Sequence, residues 1–474
     1  MTGSIVNHPL FGRGQIMELR NAAREASVQF DNQIRAVVPC TMLSMLKAAD
    51  GPAIVRPRRV IPKPAAPTPQ QQERFAARRT IEALRYGVVP QPRIRELSAG
   101  LDRERASLTS AFDRVADAGG DVRVICGEYG AGKSHFFELA AQEALARNFL
   151  VATASLDVRE VAPNRPQRIY NALVRHLRYP DHTDTGTLAP LFDRLVDNTV
   201  AWSPLMTELE GTIFSTALHN YSLMRATPGE ALDKLLDWVS GEKVYIKEVR
   251  DAVAAKGKDF PMPSLSTMTT AADQYCYLLS GLGWLAQKAG YAGLMVLLDE
   301  SEHYSLLNER GQERADNFFR GLMYSALSTQ PGCRITEKQL THPQRGAFPF
   351  RFADQSGLLV MFAVTPSAST FDYKRWLGAD QIINLGTRMT PEALKELLSR
   401  LGRLHAQAHG QAKSVNSTRM AEALHECLEG RLINLRQLIR LAMEMFDLCY
   451  TDATFKPAQA ANELRQVMLG KSEE

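Results

Sequence analysis

Residues 127–134 read Gly127-Glu128-Tyr129-Gly130-Ala131-Gly132-Lys133-Ser134, the full pattern G-x-x-x-x-G-K-[ST], and the apolar run Val122-Arg123-Val124-Ile125-Cys126 leads into it. A strand that enters a glycine-rich turn and leaves as a helix aims several backbone N–H groups into one concavity, at the positive end of a helix dipole. Such a nest suits a polyphosphate. Lys133 is expected to reach the β- and γ-phosphates as a point charge, and the Ser134 hydroxyl to take one position on Mg²⁺, so ATP with Mg²⁺ is the expected ligand. Phe136, Phe137, Leu139 and Ala140 supply the apolar helical face that must follow. Gly127 through Ser134, with His135 at the loop's end, is the expected nucleotide-binding segment. The side chains of Tyr129 and His135 are expected to pack locally.

The run Leu294-Met295-Val296-Leu297-Leu298 reads as a strand buried on both faces, and it ends in Asp299-Glu300. A carboxylate at the C-terminal end of a buried parallel strand can share Mg²⁺ with Ser134, which assigns Asp299 to the metal. Glu300 is then expected near the γ-phosphate, orienting and deprotonating the attacking water. A further apolar run, Leu358 to Val364, ends in Thr365-Pro366-Ser367. Thr365 is expected at the same sheet edge, bonded to the attacking water or the γ-phosphate. Arg436 begins a long apolar-faced helix and is expected to reach the nucleotide, with Arg431 as its competitor. Arg320, Arg334, Arg345 and Arg351 lie where a ring-forming ATPase would need an arginine to project into its neighbour's site, and spacing does not choose among them.

A chain of 474 residues, 45% hydrophobic and 23% charged, has room for two or three domains. The net charge of +4 is too near balance to require a nucleic-acid partner. Met1 to Pro9 shows no basic region followed by an apolar stretch, and the longest apolar run is far below the roughly 18 residues of a membrane span, so a cytoplasmic location and no membrane are expected. Six scattered cysteines without a C-x-x-C pair suit buried free thiols, not a zinc site or a disulfide framework. Six prolines between residues 52 and 69 mark an extended basic linker, placed at 51–72. Before it, Ile16, Leu19, Ala22 and Ala23 suggest an N-terminal helical appendage over 1–50. After it come a P-loop ATPase core over 73–390 and a C-terminal helical lid over 391–474. The fold class is α/β, with about five parallel strands: 120s, Phe149 to Leu156, 294–298, 358–364 and Gln381 to Leu385. Residues 158–293 form a helical insertion, with single helices expected at Ile169 to Leu177 and Pro204 to Leu223 among others, serving either as a lid or as the part specific to this protein.

The block 127–136 and the block Ala289-Gly290-Tyr291-Ala292-Gly293-Leu294-Met295-Val296-Leu297-Leu298-Asp299-Glu300-Ser301-Glu302, with the helical insertion between them, resemble the BrxC/BrxD-type ATP-binding proteins of bacterial BREX phage-defence systems. The resemblance covers roughly residues 75 to 450, and the length is closer to the BrxD-like members. It implies an AAA+-like core of the additional-strand class, strand order 5-1-4-3-2, with Lys133, Ser134, Asp299 and Glu300 in the roles derived above. It implies DNA, met directly or through partners such as a helicase, nuclease or methyltransferase, and a nucleotide-dependent homo-oligomer. Leu97 to Glu104 matches the Gly-Arg-Glu entry motif of such ATPases only loosely, and the head and linker lie outside the family pattern. The expected activity is ATP hydrolysis that drives a motor or switch. The alternative is a regulatory nucleotide switch that recruits partners with slow or no turnover.

Overall fold

The structure, a computed structural model, describes residues 2–31, 34–45, 68–182, 186–254, 262–327, 329–330, 333–343, 347–368, 371–386, 389–410, 417–427, 435–452, 456–459 and 461. It divides into two compact units, Met1–Ala66 and Pro67–Glu474.

The first unit is a sheet, which corrects the helical appendage expected over 1–50. Strands β1 (Ile5–His8), β2 (Gly12–Arg20), β3 (Glu25–Phe30), β4 (Arg35–Pro39) and β5 (Ser44–Met45) pair antiparallel in the order β4-β3-β2-β1-β5. The helical stripe was coincidental. Gly14 and Ile16 face inward between exposed neighbours, a two-residue period. Asn21, Ala22 and Ala23 all adopt positive φ (50°, 53° and 65°) and turn the chain from β2 into β3. Val6, Ile16, Ala26, Val28, Phe30 and Val38 form a small core of their own. The proline-rich linker lies outside the described residues as far as 67. Thr68 then caps the helix Pro69–Arg85, its hydroxyl accepting from the Gln71 N–H at 3.3 Å.

In the second unit, β6 (Gly120–Cys126), β7 (Phe149–Ser155), β8 (Leu177–Arg178), β9 (Gly293–Asp299), β10 (Leu358–Val364) and β11 (Ile382–Asn384) form one sheet, in the order β11-β6-β10-β9-β7-β8. The first five of that order run parallel. Counted along the chain they stand 5-1-4-3-2. The two-residue β8 pairs antiparallel with β7, so the sheet has six strands and is mixed, not five and wholly parallel. The helix expected to reach Leu177 ends at Arg175, and the chain doubles back along the open edge of β7.

Each inner strand is buried on both faces, as a parallel sheet requires. Leu358, Val360, Phe362 and Val364 of β10 enter one core, and Leu359, Met361 and Ala363 the other. The second core is completed by the helices Asp102–Ala118 and Lys133–Ala146 through Leu108, Phe112, Phe136 and Leu139. The first is filled by the insertion: Tyr170, Phe192, Phe214, Trp238 and Tyr275 share one cluster with β6, β9 and β10. The insertion is one body with the sheet. Its expected helix Pro204 to Leu223 is two, Thr199–Glu208 and Ile213–Met224, separated where Gly211 takes φ 77°.

A third core joins the helices Pro391–His409, Ser417–Cys427 and Leu435–Thr451 to Pro69–Arg85, through Leu398, Leu424, Phe446 and Ile81. The first helix after the linker therefore belongs with the C-terminal helices and not with the ATPase core that was expected to begin at 73. Its Arg85 donates to both Asp447 oxygens, at 2.7 and 2.6 Å.

Candidate functional site

The parallel register brings three strand ends to one edge. Val364 stands opposite Cys126, and the Gly127 N–H donates to Val364 O at 3.2 Å, so the glycine loop and Thr365 leave the sheet side by side. Asp299 ends β9, opposite Ser155. The loop turns at Gly130 and Gly132 with φ 79° and 98°, values that glycine reaches without steric cost, and the helix Lys133–Ala146 begins immediately afterwards.

The polar side chains at this edge are already bonded to one another. Lys133 is buried, 8% exposed, and its Nζ donates to Gly127 O at 2.9 Å and to Thr365 Oγ1 at 2.8 Å. Ser134 Oγ donates to Asp299 Oδ2 at 2.8 Å. Lys133, Ser134, Asp299 and Thr365, drawn from three distant stretches of sequence, thus meet as expected. Ser134 and Asp299 present adjacent hard oxygens, the donor type that Mg²⁺ takes.

Glu300 is placed differently. It adopts φ 58° and ψ 35°, a left-handed conformation unusual for a non-glycine residue, and caps the 3₁₀ turn Ser301–Leu306. Its exposed carboxylate lies 3.3 Å from His303 Nε2. The same turn carries Glu302 back toward the end of β10, where its Oε1 accepts from Thr365 Oγ1 at 2.9 Å. Glu302 is a site residue that sequence reasoning missed. The signal was a third carboxylate, two positions beyond Glu300 in the run Asp299-Glu300-Ser301-Glu302.

Around the loop, His135 packs locally as expected. Ser98 Oγ donates to Ile94 O at 2.7 Å and therefore accepts from His135 Nε2 at 2.9 Å, which places the imidazole proton on that nitrogen. Burial pushes the His135 pKa down to about 4. Tyr129 does not pack locally as expected: it is 69% exposed, and its partner comes from the far end of the chain. Arg436 Nη1 donates to Tyr129 Oη at 2.9 Å, with the guanidinium 5.2 Å from the ring centroid. Leu435 Cδ2 lies where a Cβ on Gly132 would meet it at 3.3 Å, so the start of the helix Leu435–Thr451 touches the loop itself. Glu128 accepts from Ser367 Oγ at 2.7 Å. Arg431 and Arg345 lie outside the described residues. Arg320 donates to Gln339 O at 2.7 Å and stacks on Trp376, Arg351 pairs with Asp354 at 2.8 Å, and Arg334 is exposed.

Among the described residues no helix is long and apolar enough to cross a membrane. No curated protein matches the chain. Among solved structures, the Walker-type ATPase PABY2304 of Pyrococcus abyssi is similar at 10% identity with a TM-score of 0.32, covering 79% of this chain and 75% of that one. The family model described as BREX system ATP-binding protein BrxC/D matches residues 73–203, the segment that holds the glycine loop, β6 and β7. Over that segment, which holds the first of the two motif blocks, the resemblance to the BrxC/D-type proteins is borne out.

Proposed function

We propose that this chain binds ATP with Mg²⁺ at the edge formed by Gly127–Ser134, Asp299 and Thr365, and hydrolyses it in the service of a BREX-type anti-phage defence system. The observation that carries this is the contact set at that edge: a buried Lys133 beside the loop carbonyl, with the Ser134 hydroxyl already on Asp299. The nest of loop N–H groups and Lys133 would take the β- and γ-phosphates. Ser134 and Asp299 would hold Mg²⁺, whose charge offsets that of the phosphate oxygens. In hydrolysis a water oxygen bonds to the γ-phosphorus, the bond to the β,γ-bridging oxygen breaks, and ADP leaves with that electron pair. The water's proton goes to Glu300, which must first leave His303. Arg436, held at the loop by Tyr129, is positioned to add positive charge at the nucleotide.

The reading extends to a motor or switch that acts on DNA-associated partners as a nucleotide-dependent oligomer, and the match to the BrxC/D family supports it. The resting contact of Glu300 with His303 favours the alternative of a slow switch whose turnover waits for a partner. Steady-state ATP turnover, with and without DNA, tests both. Turnover abolished in Lys133→Ala and Glu300→Gln supports hydrolysis as assigned, and full turnover in Glu300→Gln overturns that role. Strong stimulation by DNA supports the motor, and its absence the switch. Particle mass with and without a non-hydrolysable ATP analogue tests the oligomer.

A further inference from the structure

Thr365 Oγ1 stands between Lys133 Nζ at 2.8 Å and Glu302 Oε1 at 2.9 Å. An ammonium offers only donors and an ionised carboxylate only acceptors. The single hydroxyl proton of Thr365 is therefore committed to Glu302, and its lone pairs face Lys133. The Lys133 charge reaches a carboxylate through this hydroxyl. The second oxygen of Glu302, Oε2, is buried with no hydrogen-bond partner among the described residues, so the carboxylate keeps one acceptor in hand.

We infer that Glu302 is a positioning residue for hydrolysis, acting through Thr365; this rests on the ATPase reading above. When a γ-phosphate draws Lys133 away, the Thr365 oxygen keeps its proton on Glu302 and presents a free lone pair toward the site. It can then accept a hydrogen bond from the attacking water and hold that water's own lone pair toward the γ-phosphorus. It cannot donate to the γ-phosphate while Glu302 holds its proton. Of the two contacts expected for Thr365, Glu302 thus selects the water. The left-handed turn at Glu300 serves this arrangement, because it aims Glu300 outward and returns Glu302 to the strand end.

The experiment compares ATP turnover and binding of a fluorescent ATP analogue in the full chain for Glu302→Gln, Thr365→Val, the double variant and Thr365→Ser. Glu302→Gln is expected to lower kcat by about 10- to 100-fold with the nucleotide Kd changed less than about twofold, a split that a merely structural loss would not give. Thr365→Val should lose a similar factor, the double variant should be no worse than either single one, and Thr365→Ser should recover most of the rate. Losses that multiply in the double variant, or an unchanged kcat in Glu302→Gln, would overturn the inference. Should Glu302→Gln melt early, Glu302→Asp in a Thr365→Ser background keeps both groups and carries the same expectation of a lower kcat at constant Kd. Turnover lost in Lys133→Ala but intact in Glu302→Gln overturns this role alone. No turnover in the unmutated protein overturns the ATPase reading with it.

Discussion

Two buried cations show what a side chain demands of its surroundings. Lys133 meets Gly127 O and Thr365 Oγ1, and a carboxylate only beyond the hydroxyl, an arrangement suited to releasing it to a phosphate. Arg123 on β6 has the opposite design. It is 1% exposed, pairs with Asp121 at 2.8 Å and donates to Asp380 O at 3.0 Å. Burial pushes the Asp121 carboxyl up and the Arg123 guanidinium down, and each charge partly offsets the shift of the other. Removing one partner of such a pair strands the other. Arg123→Met is expected to cost about 3 kcal/mol by chemical denaturation, while replacing Arg123 and Asp121 together by apolar residues should cost much less. The glycine loop with Lys133 and Ser134 was legible because it is local. The importance of Glu302 was not, because it depends on a bond to a residue 63 positions away.

At the scale of elements, strands with strong local signals were read correctly. β9 and β10 are apolar runs, β6 is one interrupted by the buried pair Asp121 and Arg123, and a strand buried on both faces announces itself by lacking a solvated face. The N-terminal strands were missed because β1 and β2 bury only one face, and a few apolar residues at three- and four-residue spacing look helical until the partner strands are known. β8 was missed for the same reason at its smallest size, two residues whose only strand character is their pairing. The helix Leu435–Thr451 makes its own prediction, since its first turn touches the glycine loop through Leu435 and Arg436. The Arg436–Tyr129 contact is exposed and worth less than about 1 kcal/mol to stability. Arg436→Ala should therefore leave the melting temperature within about 2 °C and still lower kcat/KM for ATP by about tenfold or more. A fall in melting temperature with unchanged kcat/KM would make Arg436 a packing residue only.

Across the whole second unit, the C-terminal helices and Pro69–Arg85 share one core, and that bundle meets the glycine loop through the start of Leu435–Thr451. Titratable groups tie its stability to pH. Burial, then the neighbouring His405, hold the His409 pKa below its ordinary value. Burial pushes the Asp447 carboxyl up, but His405 and the Arg85 fork outweigh it and hold it below the usual carboxylate range. At the loop, His135 sits near 4. All three are depressed in the folded state, so the unfolded chain binds more protons as pH falls. The stabilisation from the two histidines is complete above about pH 6.5 and is lost as pH falls toward their folded values. That from Asp447 goes only below about pH 4. The melting temperature should accordingly fall between pH 7 and pH 5, with His135 contributing about 2 kcal/mol by pH 5. The fall should be shallower in His409→Gln, and a slope unchanged by that substitution would remove His409 from the account.

By itself the sequence determined the glycine-rich loop, the buried strands, the carboxylates that end one of them and the likeness to the BrxC/D family over residues 73–203, because each of these is written in contiguous residues whose chemistry is local. Only the tertiary structure decided that the head is a sheet, that the helix Pro69–Arg85 completes a bundle more than 300 residues further on, and that Glu302, not Glu300, is bonded to Thr365. Those outcomes depend on which faces find each other. Burial and hydrogen bonding reward a contact only when both partners are present, and one partner's sequence does not name the other.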